Sequence, residues 1–185
     1  FGGGLVTVAA ARDGKVQAII AQCPMMDGLA SALEVIRYAG IAHVLKLSAH
    51  GAVDITRALL GMSPHYIASA GRPGEVAAMT AADCYDGYLA LVPAGVPNTV
   101  AARVSSTLMT FRPVTQAHKV TCPALIQICE KDTVAPVAAA EKAAKKMKHA
   151  EVRRYDMGHF DIYQGENREK SVADQLAFLL KTFSR

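Results

Sequence analysis

CPALIQICEKDTVAP, residues 122–136, joins a short apolar run directly to a carboxylate. Ala124 to Cys129 is continuously apolar but for Gln127, holds two isoleucines, and is bounded by Pro123 before it and charged residues after it. That pattern predicts a strand buried on both faces, as in a parallel sheet. Asp132 then falls in the loop at the C-terminal edge of that sheet, where open α/β proteins gather their ligands.

Further along the chain, Glu151 to Tyr155 (EVRRY) alternates as a strand nearer a sheet edge does. The loop after it, DMGHFD at 156–161, carries His159. Between these strands, Val137 to His149 is rich in Ala and Lys and helical by propensity. Glu169 to Phe183 follows with an apolar stripe at Val172, Leu176, Leu179, Leu180 and Phe183. Upstream, Val16 to Cys23 (VQAIIAQC) reads as another buried strand, between Asp13-Gly14 and Pro24. Gly3 to Arg12 reads as a helix whose glycines permit close packing on the sheet. Strand and helix thus alternate, the order of an α/β fold with a mostly parallel sheet.

From Leu29 to His118 the pattern changes to helical spacing (Leu33, Ile36, Ala39 to Leu47) punctuated by Gly61-Met62-Ser63-Pro64, Gly71-Arg72-Pro73-Gly74 and Pro93 to Pro97. This is too long for a loop in a compact domain. The expected organisation is core at 1–28, a mainly helical insertion at 29–118, and core again at 119–185.

Composition excludes several functions. Lys+Arg 20 against Asp+Glu 16 gives a net charge of +4, and 51% of the 185 residues are hydrophobic. Four of the cations, Lys142, Lys145, Lys146 and Lys148, lie on the Ala-rich helix without interleaved aromatics, which reads as a solvated face and not a nucleic-acid surface. No run approaches the ~20 apolar residues of a membrane span. Phe1-Gly2-Gly3-Gly4 lacks the basic start of a secretory signal and reads as a cut through a longer chain. Cys23, Cys84, Cys122 and Cys129 have no metal-ligand spacing, so reduced core thiols and a cytoplasmic location are expected. His43, His50, His65 and His118 form no i, i+4 pair, so no metal site is expected among them. The glycines at the start lack the sequence of a phosphate loop.

The pair that carries chemistry is Asp132 and His159, placed in loops after neighbouring strands. A carboxylate that accepts from one ring nitrogen fixes the tautomer and leaves the other to take a proton from a hydroxyl nucleophile. Glu130 and Asp161 are rival acids, and Asp132 could instead cap the helix that begins near Pro136. Ser63 is not in a Gly-x-Ser-x-Gly setting. Phe1-Gly2 is what would follow the serine of such an elbow. Met25, Met26 and Asp27 follow the first strand at the same sheet edge, where they line a substrate cleft or simply pack.

In the segments AAARDGKVQAIIAQCPMMDG, CPALIQICEKDTVAP and MGHFDIYQGE, the chain resembles the α/β-hydrolase superfamily, whose triad runs nucleophile, acid, histidine. It is similar to microbial enzymes related to dienelactone hydrolases and acyl-peptidases, with fungal polyketide acyltransferases and thiohydrolases as relatives. The resemblance implies an α/β-hydrolase fold with a helical cap, and a serine hydrolase cleaving an ester, thioester or amide through an acyl-serine. It implies Asp132 as triad acid, His159 as general base and the backbone N–H of Phe1 as an oxyanion-hole donor. Val134, with Met25 and Met26, is expected at the substrate; no cofactor is. The nucleophile is expected just upstream of Phe1, in the same or a separate chain, so residues 1–185 alone should not be catalytic. Acyl transfer to an alcohol would use the same triad. A hydrolase-like half that pairs with another chain without catalysis is the alternative. The expected ligand is a small acyl substrate, and a homodimer is compatible with the sequence.

Overall fold

The computed structural model describes residues 1–184. In chain order its main elements are α1 (Gly2–Arg12), β1 (Ile19–Gln22), α2 (Gly28–Ala39), α3 (Ile41–Leu59), β2 (Tyr66–Ala70), β3 (Ala77–Met79), α4 (Cys84–Leu89), β4 (Thr99–Ala101), α5 (Arg103–Thr107), β5 (Ala124–Cys129), α6 (Val137–Lys146), β6 (Ala150–Tyr155) and α7 (Gly165–Phe183). They divide into two compact units, residues 1–27 with 112–185, and residues 28–111.

The first unit is built on a parallel sheet in the order β1-β5-β6. All six residues of β5 are buried, as a central strand with Ile126 and Ile128 requires. The sheet's two edges differ in chemistry. β6 carries Glu151, Arg153 and Arg154, held in ion pairs with Lys181, Asp174 and Glu141, and such charges discourage further pairing. β1 is Ile19-Ile20-Ala21-Gln22, without charge, proline or bulge.

α6 meets the sheet through Ala139, Ala140, Ala143 and Ala144, whose small side chains permit close approach, while Lys142 and Lys145 face outward. α7 turns Phe178 and Ser171 inward. Its Gln175 amide donates to Oε1 of buried Gln127 at 2.7 Å. The stripe read from the sequence does not face the sheet: Val172, Leu176, Leu180 and Phe183 are all exposed. The polar bonds to Gln127 fix the helix's rotation and turn that stripe away.

Below α7, Gln127 Nε2 donates to the Tyr155 hydroxyl (2.7 Å) and to the Ser171 carbonyl (2.9 Å). Tyr155 in turn donates to Asp174 (2.6 Å). Burial, reinforced by the Asp174 carboxylate, pushes the Tyr155 phenol well above its ordinary pKa, so it stays a donor.

The second unit opens with α2 and α3, separated at Gly40, whose φ of 82° is the left-handed turn that glycine permits. The region read as mainly helical also contains a three-stranded sheet, β3-β2-β4, with β2 parallel to β3 and antiparallel to β4. Its strands are short and alanine-rich, so their propensity gave no strand signal. Residues 112–118, read from the sequence with the insertion, fall in the first unit. Asp54 is fully buried on α3 and accepts from the His65 and Arg103 backbone N–H groups and from the Arg103 guanidinium, at 2.7 to 3.1 Å. Those bonds hold its carboxyl far below the usual carboxylate range.

Chain crossings between the units lie side by side. Arg112 grips Asp27 through both carboxylate oxygens (2.8 and 2.9 Å), and Val114 N–H donates to the Met26 carbonyl. Gly28 N–H donates to the Phe111 carbonyl at 2.9 Å.

Candidate active site

Asp132 and His159 meet after β5 and β6. His159 Nδ1 lies 2.7 Å from Asp132 Oδ2. An ionised carboxylate only accepts, so Nδ1 is the donor and the neutral ring keeps Nε2 as its acceptor. The other oxygen, Oδ1, accepts from the backbone N–H groups of Val134 (2.8 Å) and Ala135 (2.7 Å). One Asp132 oxygen thus shapes the loop before α6 and the other meets the imidazole; the helix-capping role offered by the sequence is not seen, since Pro136 is the N-cap of α6 and no side chain caps it.

The Asp132 side chain is 3% exposed and that of His159 16%, so the pair is shielded from water except along the ring. Lys131 N–H donates to the Met157 carbonyl, which ties the acid loop to the histidine loop. Lys131 also pairs with Asp156 at 2.8 Å on the surface. The rival acids are occupied elsewhere. Asp161 accepts from the Gly158 N–H at 2.8 Å, and Glu130 lies beside Arg154.

Phe160 and Tyr163 flank the imidazole, with ring centroids 5.0 and 6.3 Å from it. Burial, then the nearby cysteines and Asp132, push the Tyr163 phenol up. Sequence reading missed both; the aromatic spacing around Gly158-His159 was their only signal.

Cys23, directly after β1, lies in the left-handed region (φ 41°), unusual for a residue with a β-carbon. Its sulfur is 3.3 Å from that of Cys129 at the end of β5. That contact, with burial and the Asp132 charge, holds the Cys23 thiol strongly protonated. Cys23, Asp132 and His159 offer ligand atoms that all lie within 4.8 Å of one another. No metal-ligand spacing is visible along the chain because these residues come from three separate loops.

Of the other residues singled out, Met25 is 7% exposed and Met26 fully enclosed. Val134 is half-buried and gives its N–H to Asp132. Phe1 caps α1, its carbonyl accepting from the Gly4 and Leu5 N–H groups. His50 Nδ1 and His65 Nε2 come within 2.8 Å, a pairing that their separation in sequence conceals. No helix among the described residues is long and apolar enough to cross a membrane.

A parallel sheet covered by helices is the architecture of the α/β-hydrolase fold, and this chain has that fold. Solved structures agree: the DcsB complex with its substrate analogue (TM-score 0.73, 19% identity, 97% of this chain, 61% of that one), and the α/β hydrolase GrgF from Penicillium sp. sh18 (0.66, 21%, 99% and 61%). In sequence, the chain is 37% identical over 181 residues to the quorum-quenching protein AidA of Acinetobacter baumannii strain MDR-ZJ06. That alignment covers 97% of this chain but only 58% of the relative's length. No family model matches the chain.

Proposed function

We propose that this chain is the acid and histidine portion of a serine hydrolase that cleaves an ester, thioester or amide through an acyl-serine. The observation that carries the reading is the 2.7 Å contact from His159 Nδ1 to Asp132, whose second oxygen is fixed by two backbone donors. In the proposed reaction, Nε2 of His159 takes the serine proton as the hydroxyl attacks the carbonyl, then returns it to the leaving group. Asp132 stabilises the imidazolium formed between those steps. Water, activated by the same nitrogen, releases the acyl group.

The serine is assigned to the position immediately before Phe1, at the end of a strand paired to the open edge of β1. Two features support this. α1 packs on β1 as a crossover helix joins two parallel strands, and β1 has the uncharged composition of an interior strand. The segment bearing the serine is the chain's first partner, and the Phe1 N–H is one oxyanion donor. A small acyl compound is the substrate. The resemblance to AidA extends the proposal to a quorum signal as that compound, destroyed by cleavage of an ester or amide bond.

A fluorophosphonate probe applied to the naturally produced protein tests the reading. The expected adduct is on a serine directly preceding Phe-Gly-Gly-Gly, with His159→Ala lowering turnover by at least ~10³-fold. Absence of any adduct, with activity unaffected by His159→Ala, would overturn it in favour of a non-catalytic half.

A further inference from the structure

We propose that Cys23 Sγ, a carboxylate oxygen of Asp132 and a ring nitrogen of His159 form a binding site for a thiophilic divalent cation such as zinc, and that its occupation breaks the Asp132–His159 hydrogen bond. The three ligand atoms already lie within 4.8 Å of one another, with the oxygen and Nδ1 at 2.7 Å. Tetrahedral zinc, with bonds of about 2.0 to 2.3 Å to oxygen, nitrogen and sulfur, places its ligands roughly 3.3 to 3.8 Å apart. Closing this site therefore needs side-chain shifts of about an ångström, within reach of small torsional changes.

The donor set selects the metal class. One sulfur, one imidazole and one carboxylate suit a borderline or soft cation, whereas calcium and magnesium require shells of oxygen. Asp132 Oδ1 keeps its bonds to Val134 and Ala135 while Oδ2 turns to the cation, so the loop need not unfold. The Cys129 thiol, 3.3 Å away, can donate to the ligated Cys23 sulfur and support it from behind.

Protons balance simply. The Cys23 S–H bond breaks, a sulfur–metal bond forms, and that proton leaves to solvent. His159 shifts its proton from Nδ1 to Nε2 and binds the metal through Nδ1, without net loss. A cation so bound takes both the carboxylate and the acceptor nitrogen from the hydrolytic reaction, so metal and turnover exclude one another. This last consequence rests on the proposed hydrolase function; binding itself does not.

Cobalt(II) titrated anaerobically into the intact protein reads the site without reference to activity, because a thiolate ligand gives an intense near-ultraviolet charge-transfer band. The expected result is one cobalt per chain, displaced by zinc, with the band lost in Cys23→Ala and in His159→Ala and kept in Cys122→Ala. No such band in the wild-type protein overturns the proposal, as does a band that survives Cys23→Ala. With an ester substrate, zinc should inhibit the wild-type enzyme at least tenfold more strongly than Cys23→Ala, each measured against its own turnover without metal. Equal inhibition of the two also overturns it. A cobalt band in a protein with no hydrolytic activity would sink the enzymatic reading and leave the metal site standing.

Discussion

Gly3 of α1 and Pro24 approach so closely that a β-carbon on Gly3 would stand 2.6 Å from Pro24 Cβ and 3.0 Å from its Cα. A rigid proline ring carbon and the backbone, not a flexible side-chain tip, block that space. Gly3→Ala should therefore destabilise the protein by about 1–3 kcal/mol, as overpacking does. Urea unfolding followed by circular dichroism would show it as a lower midpoint; an unchanged midpoint would mean that α1 moves freely off β1.

Asp132→Asn separates orientation from folding. The amide oxygen can still accept from Val134 and Ala135, but its NH2 faces His159 Nδ1 and demands an acceptor there. The ring proton is then held on Nε2, the wrong nitrogen for a base. Turnover should fall about 10⁴-fold with the unfolding midpoint nearly unchanged. A loss below tenfold would remove Asp132 from the proposed triad.

Tyr155→Phe removes a hydroxyl that accepts from Gln127 and donates to Asp174 in the interior. One Gln127 N–H is left buried without a partner, at a cost of about 1–3 kcal/mol. Denaturant titration should detect it, and Gln127→Leu in the same background should recover part of the loss. No recovery would locate the cost elsewhere.

Acid should loosen the unit formed by residues 28–111 through Asp54. Its folded pKa lies below the unfolded value of about 3.9, so its stabilisation is complete above that value and is lost as pH falls toward the folded one. Amide exchange in α3 and β2 should accelerate below about pH 4 in the wild type. In Asp54→Asn this acid dependence should be absent; if it persists unchanged, another carboxylate governs it.

How much of this was legible in the sequence varied by element, for physical reasons. β5 was read to the residue because all six positions face the interior and the run is sharply bounded. β1 is shorter than its apolar run, because Val16 to Ala18 lie outside the ladder with Gln17 exposed. β2 to β4 escaped notice: YIASA, AAM and TVA are too short to show a period of two. The α7 stripe was visible as periodicity, but periodicity does not say which face the hydrogen bonds will choose. Asp132 and His159 stood out because each directly follows a strand. Cys23 did not, since its neighbours at the site are distant in sequence.

The Asp27–Arg112 grip has a consequence for how this scaffold can change. It holds together the points at which residues 28–111 leave and rejoin the first unit, and the Gly28 and Phe111 backbones are hydrogen-bonded to one another. Segments inserted at such closely apposed ends can be exchanged or shortened with little disturbance to the host. The region between Asp27 and Arg112 is in effect a replaceable cassette: recombination or engineering could supply a different one while the imidazole and carboxylate stay where they are.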